Sequence, residues 1–312
     1  LHIYLTKSLI MNNYNINKSS QIYFNKYPRQ ISIFKSILFS AFIIFGFVAC
    51  DQIKPPYEEN NIQPTDTTTK TVLLEEYTGF RCGNCPAAAE ISHNLKAKYG
   101  DKVVVMAIHV GSLAMPTPQH KYDFRTTTGN ELDDYFKIGW EIGTPNGLID
   151  RVPYNGSLVL GETTWEAALL ARMKEKAKMT LKFENANFNL SENTISTQLK
   201  IKFIEKGLAN YNIAIYIVED SVVNYQTDYR LSPPDILDYV HNNTLRGAIT
   251  STWGVPISDT DIAAGAEITK DFSYSLPENI DWRMNWVRLV AVITNSETKE
   301  VLQVSEKYLN TK

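Results

Sequence analysis

The sequence predicts an α/β domain followed by an all-β antiparallel sandwich domain, and three observations lead there. A strand-like run, a helical stretch and a second apolar run follow one another between residues 71 and 108, the order of a βαβ unit. Beyond residue 178 the hydrophobic period changes from helical to two. The chain has 312 residues, 44% of them hydrophobic, enough for two domains with cores of their own.

Residues 1–50 read as a lipoprotein signal peptide with extra N-terminal residues. Lys26, Arg29 and Lys35 precede an apolar run from Ser36 to Val48, which is too short for a membrane span of ~20 residues and suits a signal-peptide core. It ends in Phe47-Val48-Ala49-Cys50, which resembles a bacterial lipobox although Phe47 replaces the usual Leu. Cys50 is therefore the expected lipidation site, against the alternatives of an uncleaved anchor and an ordinary signal peptide. The segment before Lys26 exceeds what a signal needs, in keeping with a translation start at Met11 or beyond. With the five basic residues of this leader set aside, 26 Lys and Arg stand against 34 Asp and Glu. An acidic body argues against a nucleic-acid partner. Residues 51–70 are polar and rich in Pro, Thr and Asn, the composition of a flexible tether.

Regular structure is expected from Thr71-Val72-Leu73-Leu74-Glu75-Glu76-Tyr77, a mostly apolar strand. From Cys85 to Tyr99 the stripe Ala88, Ile91, Leu95, Tyr99 predicts a helix stopped by Gly100. Val103 to Ile108 is a continuous apolar run, as in a parallel strand covered on both faces. A polar insertion from His109 to Lys137 carries a helix near Glu131 to Phe136, and Pro145 precedes another strand-like segment. Thr163-Thr164-Trp165-Glu166 reads as a capping box opening a helix with Trp165, Leu169 and Met173 on one face. The first domain thus covers residues 71–178. Residues 179–312 form the β domain, with strands at Ile195–Phe203, Tyr211–Val218, Trp286–Thr294 and Val301–Tyr308. The excursion from Val222 to Ile257 is too long for a turn.

Cys82 and Cys85 are the cysteines besides Cys50, and two residues separate them. Between a strand end and a helix start, free backbone N–H groups and the helix dipole stabilise a thiolate. Three readings stay open: a redox-active dithiol, a structural disulfide, and a zinc half-site for which His93 supplies one further ligand. In the redox reading Cys82, nearer the loop, is the nucleophile and Cys85 the resolving thiol; Pro86 is tolerated in a first turn that has no partner for a backbone N–H. His109 ends a strand at the edge where α/β folds place sites, although an exposed loop histidine is the commoner case. His241 and Arg246 line a binding surface or pin the long loop. Glu75 and Glu76, adjacent in a strand, face opposite sides, which excludes a joint acid/base role.

The strand-Cys82-Gly83-Asn84-Cys85-helix arrangement resembles the thioredoxin superfamily. The resemblance implies an α/β thioredoxin-like domain, with Glu76 as the buried acid that moves protons for the resolving cysteine. It also implies that Thr144-Pro145 is a cis-proline loop beside the disulfide that binds substrate backbone. Arg81 departs from the superfamily's Trp, and the insertion after His109 lengthens the path to Pro145. More closely, Glu75-Glu76-Tyr77-Thr78-Gly79, the Cys82–Pro86 stretch and Tyr239-Val240-His241-Asn242-Asn243-Thr244-Leu245-Arg246-Gly247 resemble the 28-kilodalton outer-membrane lipoprotein family of Gram-negative bacteria. The expectation is a lipid-anchored envelope thiol–disulfide oxidoreductase acting on the thiols or disulfides of exported proteins, without metal or organic cofactor. The alternative is an outer-membrane surface binding or adhesion lipoprotein whose disulfide is structural.

Overall fold

The computed structural model describes residues 69–311; Cys50, the leader and residues 51–68 lie outside the described residues. Strands β1 (Val72–Thr78) and β2 (Val103–His109) are buried along their whole length, as a parallel pair covered on both faces requires, with Glu75 and Glu76 of β1 buried among the apolar residues. They pair in parallel from Val72 opposite Val103 to Thr78 opposite His109, joined by helix α1 (Cys85–Tyr99). Ala88 and Leu95 of the expected stripe are buried, Ile91 and Tyr99 partly so, against Val103, Val105 and Trp165. Gly100 ends the helix at φ 56°, a left-handed value that glycine adopts without a Cβ penalty.

Helix α2 (Thr127–Phe136) starts four residues before the expected Glu131, because Thr126 Oγ1 accepts the Gly129 N–H at 2.9 Å and fixes the N-terminus there. Strand β3 (Asn146–Ile149) runs antiparallel to β1. Helix α3 (Trp165–Met173) presents Trp165 and Leu169 to the core as expected, with Met173 partly buried there. The expected capping box does not form. Thr164 Oγ1 donates to the Gly161 carbonyl within a 3₁₀ turn, and Glu166 is drawn instead to Lys98 and Tyr99 of α1, at 2.7 and 2.6 Å.

The C-terminal half is β throughout: β4 (Met179–Asn189), β5 (Thr194–Phe203), β6 (Tyr211–Glu219), β7 (Val222–Thr227), β8 (Asp235–His241), β9 (Thr244–Ala248), β10 (Val255–Pro256), β11 (Glu267–Ser275), β12 (Val287–Asn295) and β13 (Val301–Tyr308). In β5 the alternation buries Ile195, Thr197, Leu199, Ile201 and Phe203. The antiparallel sheet β11-β5-β4 lays that face on β6 and β12, and Phe183, Leu199, Ile215, Leu289 and Ile293 share the resulting core. This is the sandwich packing of two antiparallel faces.

The larger sheet has eight strands in the order β13-β12-β6-β9-β2-β1-β3, with β10 beside β6. Its antiparallel part meets the parallel pair where Ala107 stands opposite Thr244 and the Ala107 N–H donates to the Asn243 carbonyl at 2.7 Å. The protein is thus a mixed, sheet-rich fold with three α-helices among the described residues. Tyr77, Met106 and Ile108 share one core cluster with Tyr216, Val218 and Val290, so strands from both halves of the chain bury each other's side chains. The long excursion resolves into the β7–β8 hairpin and the sheet strand β9.

Candidate functional site

The site stands at the C-terminal edge of β1, where α/β sheets leave a crevice because chain and helix diverge. β1 ends at Thr78, the chain turns through Gly79, Phe80 and Arg81, and α1 opens at Cys85 with Pro86 in its first turn. Cys82 and Cys85 are joined by a disulfide with their Cα atoms 5.4 Å apart. Cys82 Sγ lies 3.5 Å from the Thr144 carbonyl oxygen, and the Thr144–Pro145 peptide bond is cis, as the resemblance implied. The fold therefore brings Cys82, Cys85, Thr144 and Pro145 together across 60 residues of sequence.

Neither sulfur-bearing residue is exposed: Cys82 and Cys85 each keep only 2% of their accessible surface. The loop that carries Cys82 is covered by the hairpin β7–β8, whose tip straps it. Thr227 N donates to the Phe80 carbonyl and Tyr229 N to the Gly83 carbonyl, both at 2.9 Å. The buried Gln226 side chain donates to the Cys82 carbonyl at 3.0 Å. The Tyr229 ring sits so close over Gly83 that a Cβ there would lie 2.3 Å from its Cγ, which is why glycine occupies the position. Arg230 pins the tip to α1 through Glu90 at 2.9 Å.

Behind the disulfide lies a cavity of about 380 Å³ whose walls include Glu76, Cys85, His93, His109, Tyr239 and His241. Glu76 is 2% exposed and accepts one hydrogen bond, from Ser92 Oγ at 2.7 Å. Burial pushes its carboxyl up to about 7, against a smaller downward pull from Ser92. A group so placed is half-ionised near neutrality and can take or give a proton. Glu75 faces the other side of β1 and makes a bidentate pair with the buried Arg151, at 2.8 and 2.7 Å, so the two carboxylates do separate work.

His109, for which the sequence left a place at the site's edge beside the commoner exposed loop position, ends β2 at the cavity, is 4% exposed, stacks on Phe124 with ring centroids 4.5 Å apart, and has no hydrogen-bond partner at either ring nitrogen. Burial holds its pKa well below the ordinary histidine value, with the charges of His241 and Arg246 acting in the same direction. His241 joins this wall and meets the Tyr225 carbonyl at 3.2 Å, with burial lowering its pKa to about 4. Arg246 points elsewhere, pairing with Glu219 at 3.2 Å and Asp281 at 2.6 Å. Among the described residues no three His, Cys, Asp or Glu side chains converge as metal ligands.

Gln226, Tyr229 and Arg230 were not legible in the sequence. They lie more than 140 positions from the cysteines and carry no local signal; the region was marked by the length of the Val222–Ile257 excursion and by the Tyr239–Gly247 stretch that carries the family resemblance.

Comparison with known proteins places the chain in a family. The model of the outer membrane protein Omp28 family matches residues 130–312, more than half of the chain. The chain belongs to the Omp28 family. The protein is accordingly an outer-membrane protein of the cell envelope, and no helix among the described residues is long and apolar enough to cross a membrane. Its structure is similar to HBP35 of Porphyromonas gingivalis, with 16% identity, a TM-score of 0.58, and coverage of 78% of this chain and 76% of that one; at this identity the likeness concerns the fold alone. A domain of the outer membrane lipoprotein Omp28 from Porphyromonas gingivalis aligns at 17% identity over 44% of this chain and 91% of its own, with a TM-score of 0.28. No curated protein sequence matches the chain.

Proposed function

We propose that this Omp28 family protein is an envelope thiol–disulfide oxidoreductase acting on exported proteins, anchored by lipid on Cys50 and built on a thioredoxin-like unit. The observation that carries the reading is the convergence of a strand-to-helix disulfide, a buried carboxyl raised to about 7 on the cavity that Cys85 also lines, and the Thr144 carbonyl, which precedes Pro145, against Cys82. In the reducing direction the Cys82 thiolate attacks a substrate disulfide, forming a mixed disulfide and releasing one substrate thiolate. Cys85 then gives its proton to the Glu76 carboxylate, attacks Cys82 Sγ, and expels the second substrate thiol; two electrons pass to substrate and the Cys82–Cys85 bond re-forms. The Thr144–Pro145 backbone positions the partner chain.

Replacing Cys82 by Ser abolishes exchange with a protein disulfide, whereas Cys85→Ser accumulates the mixed disulfide with partner protein. Equal exchange by wild type and both variants rejects the enzyme. One observation favours the second reading, a surface binding module with a structural disulfide: both cysteines are covered by the β7–β8 strap.

A further inference from the structure

The two cysteines face different surroundings. Cys82 lies against the Thr144 carbonyl, while Cys85 contributes to the wall of the cavity and Cys82 does not. At about 380 Å³ this space falls within the ~300–1,000 Å³ range of small-molecule sites. Tyr239, His241 and Arg230 of the strap region form part of its wall. Its polar lining is short of partners: the neutral His109 ring carries one donor and one acceptor, both unpaired although the residue is 4% exposed. Leaving them so is unfavourable, and a polar ligand that bonds them removes that cost.

We infer that this cavity is the binding site of a low-molecular-mass polar thiol that opens the disulfide from the Cys85 side, with its polar groups bonded to His109. The site rests on the proposed redox reading only in requiring that the disulfide can open. The thiol gives its proton to the Glu76 carboxylate, and its thiolate sulfur attacks Cys85 Sγ. The Cys82–Cys85 bond breaks, the electron pair leaves on Cys82 Sγ, and a mixed disulfide remains on Cys85. A second thiolate attacks the small molecule's sulfur in that mixed disulfide and releases the small disulfide. In sum, two thiols are oxidised and the protein disulfide is reduced to a dithiol.

The test uses the full chain as the reduced Cys82→Ser and Cys85→Ser variants, incubated with cystine, with cysteinylation mapped by peptide mass spectrometry so that Cys50 is read separately. Cys85 is expected to load at least about tenfold faster than Cys82, as a thiol with a docking cavity and an adjacent base should. Adding His109→Phe, which keeps the stack on Phe124 and removes the unpaired nitrogens, slows loading of Cys85 by about tenfold, the worth of one lost hydrogen bond. Equal or faster loading of Cys82, no effect of His109→Phe, or loading only in urea overturns the inference. Selective loading of Cys85 in a protein that exchanges with no protein disulfide sustains the cavity and rejects the proposed function instead.

Discussion

At Glu75 the carboxylate is held by Arg151, whereas Glu76, on the other face of β1, has a single hydroxyl donor and sits beside the cavity. The difference sets a pH dependence. Glu76 has a folded pKa of about 7, above its ordinary 4.5, so the stability it contributes is fully present below pH 4.5 and is lost as pH rises through 7. The full loss amounts to about 3 kcal/mol at 1.36 kcal/mol per unit. Glu76→Gln cannot ionise, so urea unfolding of the oxidised variant should show it gaining up to about 3 kcal/mol on wild type between pH 4.5 and 8. Parallel pH profiles would show that Glu76 is ionised in the fold. The buried His241, with its folded pKa lowered to about 4, gives an opposite slope: stability present above pH 6.5 declines as pH falls towards 4. That slope is common to both proteins and drops out of the comparison.

Among the elements, the hairpin β7–β8 decides whether the disulfide can react, since its tip binds the cysteine loop through the Thr227 and Tyr229 backbone. Gly83→Ala places a methyl 2.3 Å from Tyr229 Cγ, and the ring must move away. The variant should therefore reduce faster than wild type in dithiothreitol, by about tenfold if opening the strap limits the rate and the clash removes the worth of one backbone hydrogen bond. An unchanged rate would mean that the strap does not gate the sulfurs. How far such elements can be read from sequence depends on the range of the interaction. The β1–α1–β2 unit was legible because β1 is mostly apolar, β2 is a nearly continuous apolar run and Gly100 marks the helix end. β5 was legible from its alternation. β4 and β11 escaped notice because they are half-exposed, with Lys182, Glu184, Lys270 and Asp271 diluting the pattern. The capping box failed because α1 offers Glu166 a better partner than its own N-terminus does. The cysteine pair could be picked out by position and Glu76 and Pro145 through the family resemblance, whereas the strap, and the meeting of His109 with His241 in one wall, depend on tertiary contacts that no local period records.

Across the whole molecule, the two halves of the large sheet are pinned by Arg288 of β12, which is 3% exposed. It donates to Asp220 and Asn243 at 2.7 Å, to Glu306 at 2.8 Å, and to the Val105 carbonyl of β2 at 2.9 Å. Removing the cation leaves the buried Asp220 carboxylate without its counter-charge, while Glu306 keeps Lys96 at 2.6 Å, so Arg288→Met should cost about 3–5 kcal/mol in urea unfolding. Because Val105 and Asn243 belong to the joint between parallel and antiparallel strands, unfolding should remain one transition before and after the change. Two transitions in wild type would separate the halves energetically.

Oxidoreductase function requires a Cys82–Cys85 bond that opens in use. The measurement is its reduction potential in glutathione or dithiothreitol redox buffers. A value between roughly −120 and −270 mV, the range of working thiol oxidoreductases, is the result expected. A value below roughly −300 mV with slow exchange would contradict the account and leave a structural disulfide in an envelope binding module.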